Sequence, residues 1–189
     1  IDALITADIP VLKQLPNLGR VMEHASWITD IECIYPTLTY PCHATIATGC
    51  WPDRTGINNN EIPDFFAKGR MDWYWWREAI QVPTVVDFAR QAGLTASTVT
   101  WPVMCASGAE YNIGEIWAPR EEDDPTPWFT RANSPAVAKI FEANKHMLRW
   151  MKTPQMDEFA AKCAADIIRA HRPDLMLLHL SYVDHQRHR

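Results

Sequence analysis

The sequence has no surplus of positive charge. Its formal net charge is −5, which argues against a general nucleic-acid binder, whose surface would be basic. A phosphate-bearing small molecule is still allowed, because bound metal ions can supply positive charge locally. No stretch is apolar enough to cross a bilayer. No low-complexity tract and no internal repeat is present. The five cysteines, Cys33, Cys42, Cys50, Cys105 and Cys163, are odd in number and contain no C-x-x-C pair. Neither a disulfide framework nor a structural zinc site is indicated, and buried or half-buried free thiols are expected. No initiator methionine or signal-like segment stands before Ile1-Asp2, and the chain stops in a charged, histidine-rich run, His185 to Arg189. Both ends read as cuts through a larger domain, so the missing targeting segment carries no meaning.

What is present is an ordinary folding composition. The 189 residues are 47% hydrophobic and 22% charged, within the size of one globular domain and enough for a sizeable core. Ile1 to Ile5 reads as the end of a buried strand. Val11, Leu15, Leu18, Val21 and Met22 have helical spacing, with Pro16 breaking the window into a short helix or a loop leading into one. Trp27 to Tyr35 alternates loosely like a strand, and Ala44 to Thr48 can open a helix that Gly49 ends. Trp51 to Gly56 is loop-like. Pro83 to Gly93 is an amphipathic helix, with Val85, Val86, Phe88, Ala89 and Ala92 expected inward.

Leu94 to Trp101 follows as a strand, Met156 to His171 as a second long helix, and Leu175 to Leu180 as a short apolar run typical of buried parallel strands. The alternation predicts an α/β domain with a mainly parallel sheet flanked by helices. Chemistry in such sheets sits at the carboxyl ends of strands. Asp2, Thr39 and Asp184 fall at or just after predicted strand ends.

Asp184 and His188 are four apart, so a helical turn would set them on one face as a possible pair of zinc ligands. The alternative is a polar loop after a strand, and His185 is a competing ligand. Asp2 could bind a metal or simply cap a turn. Thr39 lies in Tyr35-Pro36-Thr37-Leu38-Thr39-Tyr40-Pro41-Cys42-His43. A threonine hydroxyl needs a base or a metal to become a nucleophile. His43 is the only base nearby, and a divalent ion would also serve.

The segment from Tyr35 to Asn60 resembles the signature of the nucleotide pyrophosphatase/phosphodiesterase (type I phosphodiesterase) family, a branch of the alkaline phosphatase superfamily. That signature runs Pro-Thr-x-Thr-aromatic-Pro-Asn-His, then Thr-Gly, an aromatic-Pro pair, Gly-Ile and an Asn. Ile1-Asp2-Ala3-Leu4 resembles the family's opening metal-ligand Asp. The stretch from Pro83 to Trp101-Pro102 resembles its helix and strand leading to Trp-Pro. Asp184-x-x-x-His188 resembles its Asp-x-x-x-His metal motif. The resemblance leaves about 103–174 uncertain, with a possible insertion at about 103–155.

The resemblance implies an alkaline phosphatase-like fold, incomplete in this chain, with residues 1–189 the N-terminal part of one catalytic domain. It implies hydrolysis of phosphodiester or pyrophosphate bonds of nucleotide-like small molecules through a phospho-threonine at Thr39. Two divalent ions, zinc by preference, would be held by Asp2 with Thr39 and by Asp184 with His188. Asn60 would donate to a phosphate oxygen, and Tyr40 and Trp101 would line the leaving-group pocket, plain core packing being the alternative for both aromatics. The family also suggests an extracytoplasmic or secreted setting.

Two departures from the pattern matter. Cys42 stands where the family has Asn, at a position that braces the nucleophile loop, so retuning is expected rather than loss. It lacks the x-Pro-x-Arg that follows a sulfatase cysteine, and no tyrosine-phosphatase signature is present. The family's later Asp-His pair and further His are not among these residues. The expectation is that the 189 residues alone bind zinc poorly and do not turn over. A phosphonate hydrolase or phosphomonoesterase of the same superfamily, and a catalytically inactive ligand-binding relative, are the competing readings.

Overall fold

The computed structural model describes residues 1–29, 31–63, 72–116, 124–148 and 154–189. In chain order the helices and strands are α1 (Ile9–Leu12), α2 (Pro16–His24), α3 (Thr39–Thr48), α4 (Pro52–Thr55), α5 (Val85–Gln91), β1 (Ala96–Val99), β2 (Tyr111–Ile113), α6 (Thr126–Ala132), α7 (Ala138–Asn144), α8 (Gln155–His171), β3 (Leu175–Leu178) and α9 (Tyr182–Arg187). The three strands form a parallel sheet in the order β2-β1-β3. Val99 of central β1 is level with Ile113 on one side and Leu178 on the other. All four β1 residues are buried, as befits a strand covered on both faces. The mainly parallel α/β architecture expected from the alternation is therefore present.

Register puts the carboxyl ends of all three strands together. Thr100 follows β1, Gly114 and Glu115 follow β2, and His179 follows β3. The principal core lies on one face, where Tyr40, Ala44 and Ala47 of α3 meet Val99, Ile113, Met104 and Trp75. Phe129, Phe141 and Phe159 form an aromatic cluster within it, the first two stacked at 4.9 Å between centroids. A smaller cluster of Val86, Ala96 and Ala109 covers part of the sheet elsewhere. β2, inside the range 103–155, is one of the sheet's three strands. Gly114 is required by close approach, because a Cβ there would meet Cys105 Sγ at 2.7 Å and Ala132 Cβ at 2.8 Å.

Several local expectations change. The break at Pro16 appears as two helices, with Pro16 at the first position of α2. α3 begins at Thr39, five residues earlier than expected. Pro41 is tolerated there because a first-turn N–H has no partner inside the helix. Gly49 ends α3 with a left-handed φ of 67°. Trp51 to Gly56 contains the single-turn α4 rather than a pure loop. Ile1–Ile5 and Trp27–Tyr35 are not strands. Most of their large apolar side chains, including Ile5, Ile28 and Ile31 but not the buried Ile34, are exposed, and loose alternation without a ladder partner makes no strand. Of the α5 residues expected inward, only Val86 and Ala89 are buried, whereas Val85 and Phe88 are exposed. Among the described residues no helix is long and apolar enough to cross a membrane.

Candidate active site

A cavity of about 340 Å³ opens at the carboxyl ends of the strands, lined by Asp2, Thr39, Tyr40, Asn60, Trp73, Thr100, Glu115, Met156, Asp157, His179, Ser181, Asp184, His185 and His188. Of the residues expected to bind metal, phosphate or the leaving group, all border it except Trp101; His43, the possible base, is not in the lining either. That indole lies behind the site, edge-on to His43 at 4.9 Å between centroids. Its Nε1–H donates to the His43 carbonyl at 3.4 Å.

Thr39 is the first residue of α3, where unpaired helix N–H groups and the helix dipole favour negative charge. Tyr40 N–H donates to Asn60 Oδ1 at 2.9 Å. A backbone N–H can only donate, so this contact fixes the Asn60 carbonyl and leaves its NH₂ as the donating end. Tyr40 is buried, with its ring edge-on to Trp73 at 5.3 Å and to Trp75 at 6.1 Å. Tyr40 is thus wall and core at once.

Asp2 is carried to the site by its own N–H, which donates to the Leu180 carbonyl just past β3 at 2.9 Å. Ala3 N–H donates to Asp2 Oδ1 at 2.9 Å. His43 and His179 flank this carboxylate, and one ligand atom from each of the three residues lies within 4.8 Å of the others. His43 Nδ1–H donates to the Thr39 carbonyl at 2.7 Å. His179 Nδ1–H donates to the Thr100 carbonyl at 3.2 Å. Carbonyls only accept, so both Nδ1 atoms carry the proton and Nε2 holds the lone pair in each neutral ring. His179 Nε2 then faces Asp2 Oδ2 at 3.4 Å. Two acceptors face each other there, an arrangement that a cation or a proton must bridge. Histidines tied through one nitrogen to a carbonyl and free at the other are the form that binds metal.

Thr100 is strained to serve this arrangement. Its φ of 48° is left-handed, costly for a β-branched residue. It is held there by two bonds to one histidine, since Thr100 Oγ1 also donates to the His179 carbonyl at 2.9 Å.

The electrostatics follow from burial and neighbours. Burial would raise the Asp2 carboxyl, but the His179 hydrogen bond, the charge of His43 and the Ala3 N–H outweigh it and hold Asp2 below its ordinary value. Burial pushes His43 down to about 4, and the charge of His179 adds to this. Burial also opposes the charged form of His179, but Asp2 and Glu115 overcome it and raise that imidazole. Glu115 Oε2 is buried without a hydrogen-bond partner, 3.9 Å from His179 Nδ1. Burial lifts this carboxyl to about 7. The Tyr40 hydroxyl is buried beside this carboxyl, outside strict hydrogen-bond geometry but near enough to steady the Glu115 carboxylate.

The opposite rim is α9. Asp184 Oδ1 and His188 Nε2 are 3.3 Å apart, one helical turn along. Asp157 on α8 steadies this helix, accepting from Ser181 N–H at 2.9 Å and Tyr182 N–H at 3.0 Å. His185 lines the cavity too.

His43, His179, Glu115 and Asp157 were not assigned site roles from the sequence. His43 stood inside the motif as a possible base. His179 was readable as the one polar residue within an apolar run, Leu175 to Leu180. Glu115, between Gly114 and Ile116, carried a similar signal. Nothing in the sequence singles out Asp157.

The model of the type I phosphodiesterase / nucleotide pyrophosphatase family matches residues 1–189. Venom phosphodiesterase 2 of Crotalus adamanteus is 25% identical over 185 residues, covering 93% of this chain and 18% of the venom protein. The human ectonucleotide pyrophosphatase/phosphodiesterase family member 1 is 28% identical over 112 residues, covering 54% of this chain and 11% of the human protein. The chain thus spans about a fifth or less of the length of these relatives. Among solved structures, phosphonoacetate hydrolase from Sinorhizobium meliloti in complex with phosphonoacetate aligns with a TM-score of 0.60 at 20% identity, over 95% of this chain and 43% of that one. At that identity the likeness is one of fold, and it agrees with the alkaline phosphatase-like α/β architecture. The match of the family model along the whole chain, on a fold that brings the motif residues to one cavity, makes this chain a member of the type I phosphodiesterase / nucleotide pyrophosphatase family.

Proposed function

We propose that the cavity is the centre of a metal-dependent phosphoester hydrolase that cleaves phosphodiester or pyrophosphate bonds of nucleotide-like small molecules. The observation that carries this reading is the convergence of Thr39, Asn60, Asp2, Asp184 and His188 on one cavity from four separate parts of the chain. The donor set suits two divalent ions, with zinc favoured by its mixed imidazole and carboxylate character. Asp2 and Thr39 would hold one, with His43 and His179 close enough to complete its shell, and Asp184 and His188 the other. This extra pair of imidazoles runs counter to the expectation that the 189 residues bind zinc poorly and do not turn over, because it offers the first ion three protein donors besides Thr39. Hydrolysis by these residues alone would overturn that expectation. Bound there, the ions would lower the pKa of a coordinated hydroxyl and offset phosphoryl charge.

The chain's own residues account for the rest. Thr39 Oγ1 attacks phosphorus from the N-terminus of α3, where the helix dipole favours the alkoxide. Its oxygen bonds to phosphorus as one ester oxygen departs and takes up the proton that Thr39 has lost. The product is a phospho-threonine that still carries the substrate's other substituent and that water then hydrolyses, returning the proton to Thr39. The Asn60 NH₂, aimed by the Tyr40 N–H, donates to a phosphoryl oxygen as charge grows in the transition state. Tyr40 and Trp73 offer aromatic surface to the leaving group. A cavity of about 340 Å³ is within the size range of small-molecule sites, which supports a small-molecule substrate.

The test is hydrolysis of bis-p-nitrophenyl phosphate, p-nitrophenyl phosphate and phosphonoacetate with zinc supplied and then chelated. The proposal expects the diester to have the highest kcat/KM, loss of turnover on chelation, and a p-nitrophenyl phosphoryl group recovered on Thr39 after acid quench of the diester reaction. Preference for the monoester or the phosphonate would replace the diesterase reading. Ligand binding that survives chelation, without any turnover, would point to the inactive relative.

A further inference from the structure

Cys42 is a reactive residue of the nucleophile motif that the proposed chemistry leaves unused. The structure gives it a neighbour that its sequence spacing did not suggest. Cys33 Sγ and Cys42 Sγ are 3.3 Å apart, and both thiols are free. The other three cysteines have no such contact among the described residues.

The backbone between the two is already folded back on itself. Ile34 is buried and anchors the near end. Thr37 Oγ1 donates to the Ile34 carbonyl at 3.0 Å, Leu38 N–H to the Pro36 carbonyl at 2.9 Å, and Cys42 N–H to the Leu38 carbonyl at 3.0 Å. A disulfide needs its sulfurs about 2.05 Å apart, so the two sulfurs, now 3.3 Å apart, must approach by roughly 1.3 Å. Cys33 is exposed and Cys42 half-buried, so one sulfur meets a solution oxidant and the other stands behind it.

We infer that Cys33 and Cys42 are a reversible disulfide pair, oxidised by small-molecule disulfides, whose bond closes a ring around Thr39. The ring runs from residue 33 to residue 42 and contains Thr39 and Tyr40. In the first step the Cys33 thiolate attacks one sulfur of oxidised glutathione and releases one molecule of glutathione. In the second, the Cys42 sulfur gives up its proton and displaces the second glutathione from the mixed disulfide. Two protein thiols lose two electrons in total, and one small disulfide gains them to become two thiols. The bond ties the segment entering α3 to the helix itself, so the nucleophile's loop loses freedom in the unfolded chain as well as in the folded one.

The experiment is thiol counting and peptide mapping on the folded chain in glutathione buffers of rising oxidised fraction, with chelator present. Two of the five thiols should disappear together, and a single crosslinked peptide should join Cys33 to Cys42. The melting temperature should rise by about 5–10 °C and return on reduction. Cys42→Ser should stop at one glutathione on Cys33, while Cys33→Ser should keep all its remaining thiols. Circular dichroism checks that each variant is folded. Retention of five thiols, glutathione held on Cys33 of the unsubstituted chain, or a bond to Cys50 would each overturn the inference. So would protection of both thiols without crosslinking when zinc replaces the chelator in a parallel series, which would make the pair a metal site. None of these readouts depends on catalysis, so they stand apart from the test of the proposed activity.

Discussion

The two walls of the cavity are built differently. On one, the His179 and Asp2 side chains are 3% and 20% exposed, and each imidazole is oriented by a backbone carbonyl at a strand end or helix start. On the other, the His188 side chain is 77% exposed, and its contacts are with Asp184 on a helix of six residues. The first wall is preorganised by the sheet, and strain at Thr100 is part of what holds it. The second is set mainly by local helix geometry. Under the proposed function the two ions would therefore be held with unequal strength, and Thr39 belongs to the stronger side.

The largest expected effect tests whether Thr39 is the nucleophile of that stronger side. Thr39→Ala should lower kcat for the diester by about 10³-fold or more and abolish the phospho-threonine. Zinc bound through Asp2, His43 and His179 should largely remain. Loss of activity with a phosphorylated residue still present would move the nucleophile elsewhere.

Glu115 gives the next largest effect, and it belongs to the buried wall alone. Its carboxyl is raised from 4.5 to about 7 when folded. Between those values the folded chain holds a proton that the unfolded chain has lost, so this residue's contribution to stability falls as pH rises from 4.5 to 7. Glu115→Gln removes that penalty. Urea denaturation with chelator present should show the variant gaining on the unsubstituted chain across this window, by up to about 3 kcal/mol above pH 7. Parallel curves would mean that the carboxyl ionises freely and the wall is wet.

A zinc titration sharpens the same contrast. His179→Ala should weaken the tighter binding event by at least about 10-fold and leave the weaker one in place, whereas His188→Ala should do the reverse. A single binding event affected equally by both variants would merge the two walls into one site.

The contrast also explains what could be read from the sequence. Thr39, Asn60 and the Asp184–His188 pair were legible because each belongs to a local motif, in which spacing along the chain is spacing in space. The sheet was legible where burial on both faces gave runs such as Leu175 to Leu178. His43 and His179 were harder, because their meaning lies in two backbone carbonyls and in Asp2, which is 177 residues from His179. Trp101 fell the other way, since its distance from the cavity is decided by its packing on His43. Ile28 and Ile31 had strand-like residues but found no ladder. The Cys33–Cys42 contact is hidden for a different reason. A spacing of nine says nothing until the loop between is known to fold back.

The smallest effect is a near-absence of change that the unequal walls require. His188 is at the end of α9, where its N–H donates to the Asp184 carbonyl at 3.2 Å. Among the described residues its ring is paired with the Asp184 carboxylate, whose side chain is 30% exposed. An exposed pair of this kind contributes little, because water serves both partners almost as well. His188→Ala should therefore shift metal-free stability by no more than about 0.5 kcal/mol while still weakening the second ion. His179→Ala, by contrast, leaves a buried Thr100 carbonyl and Glu115 without their imidazole, and should cost about 1–3 kcal/mol. Denaturation of the two variants in chelator measures this directly. Equal losses would show that α9 is as firmly built into the core as the sheet edge, and the unequal affinities argued from exposure would go with it.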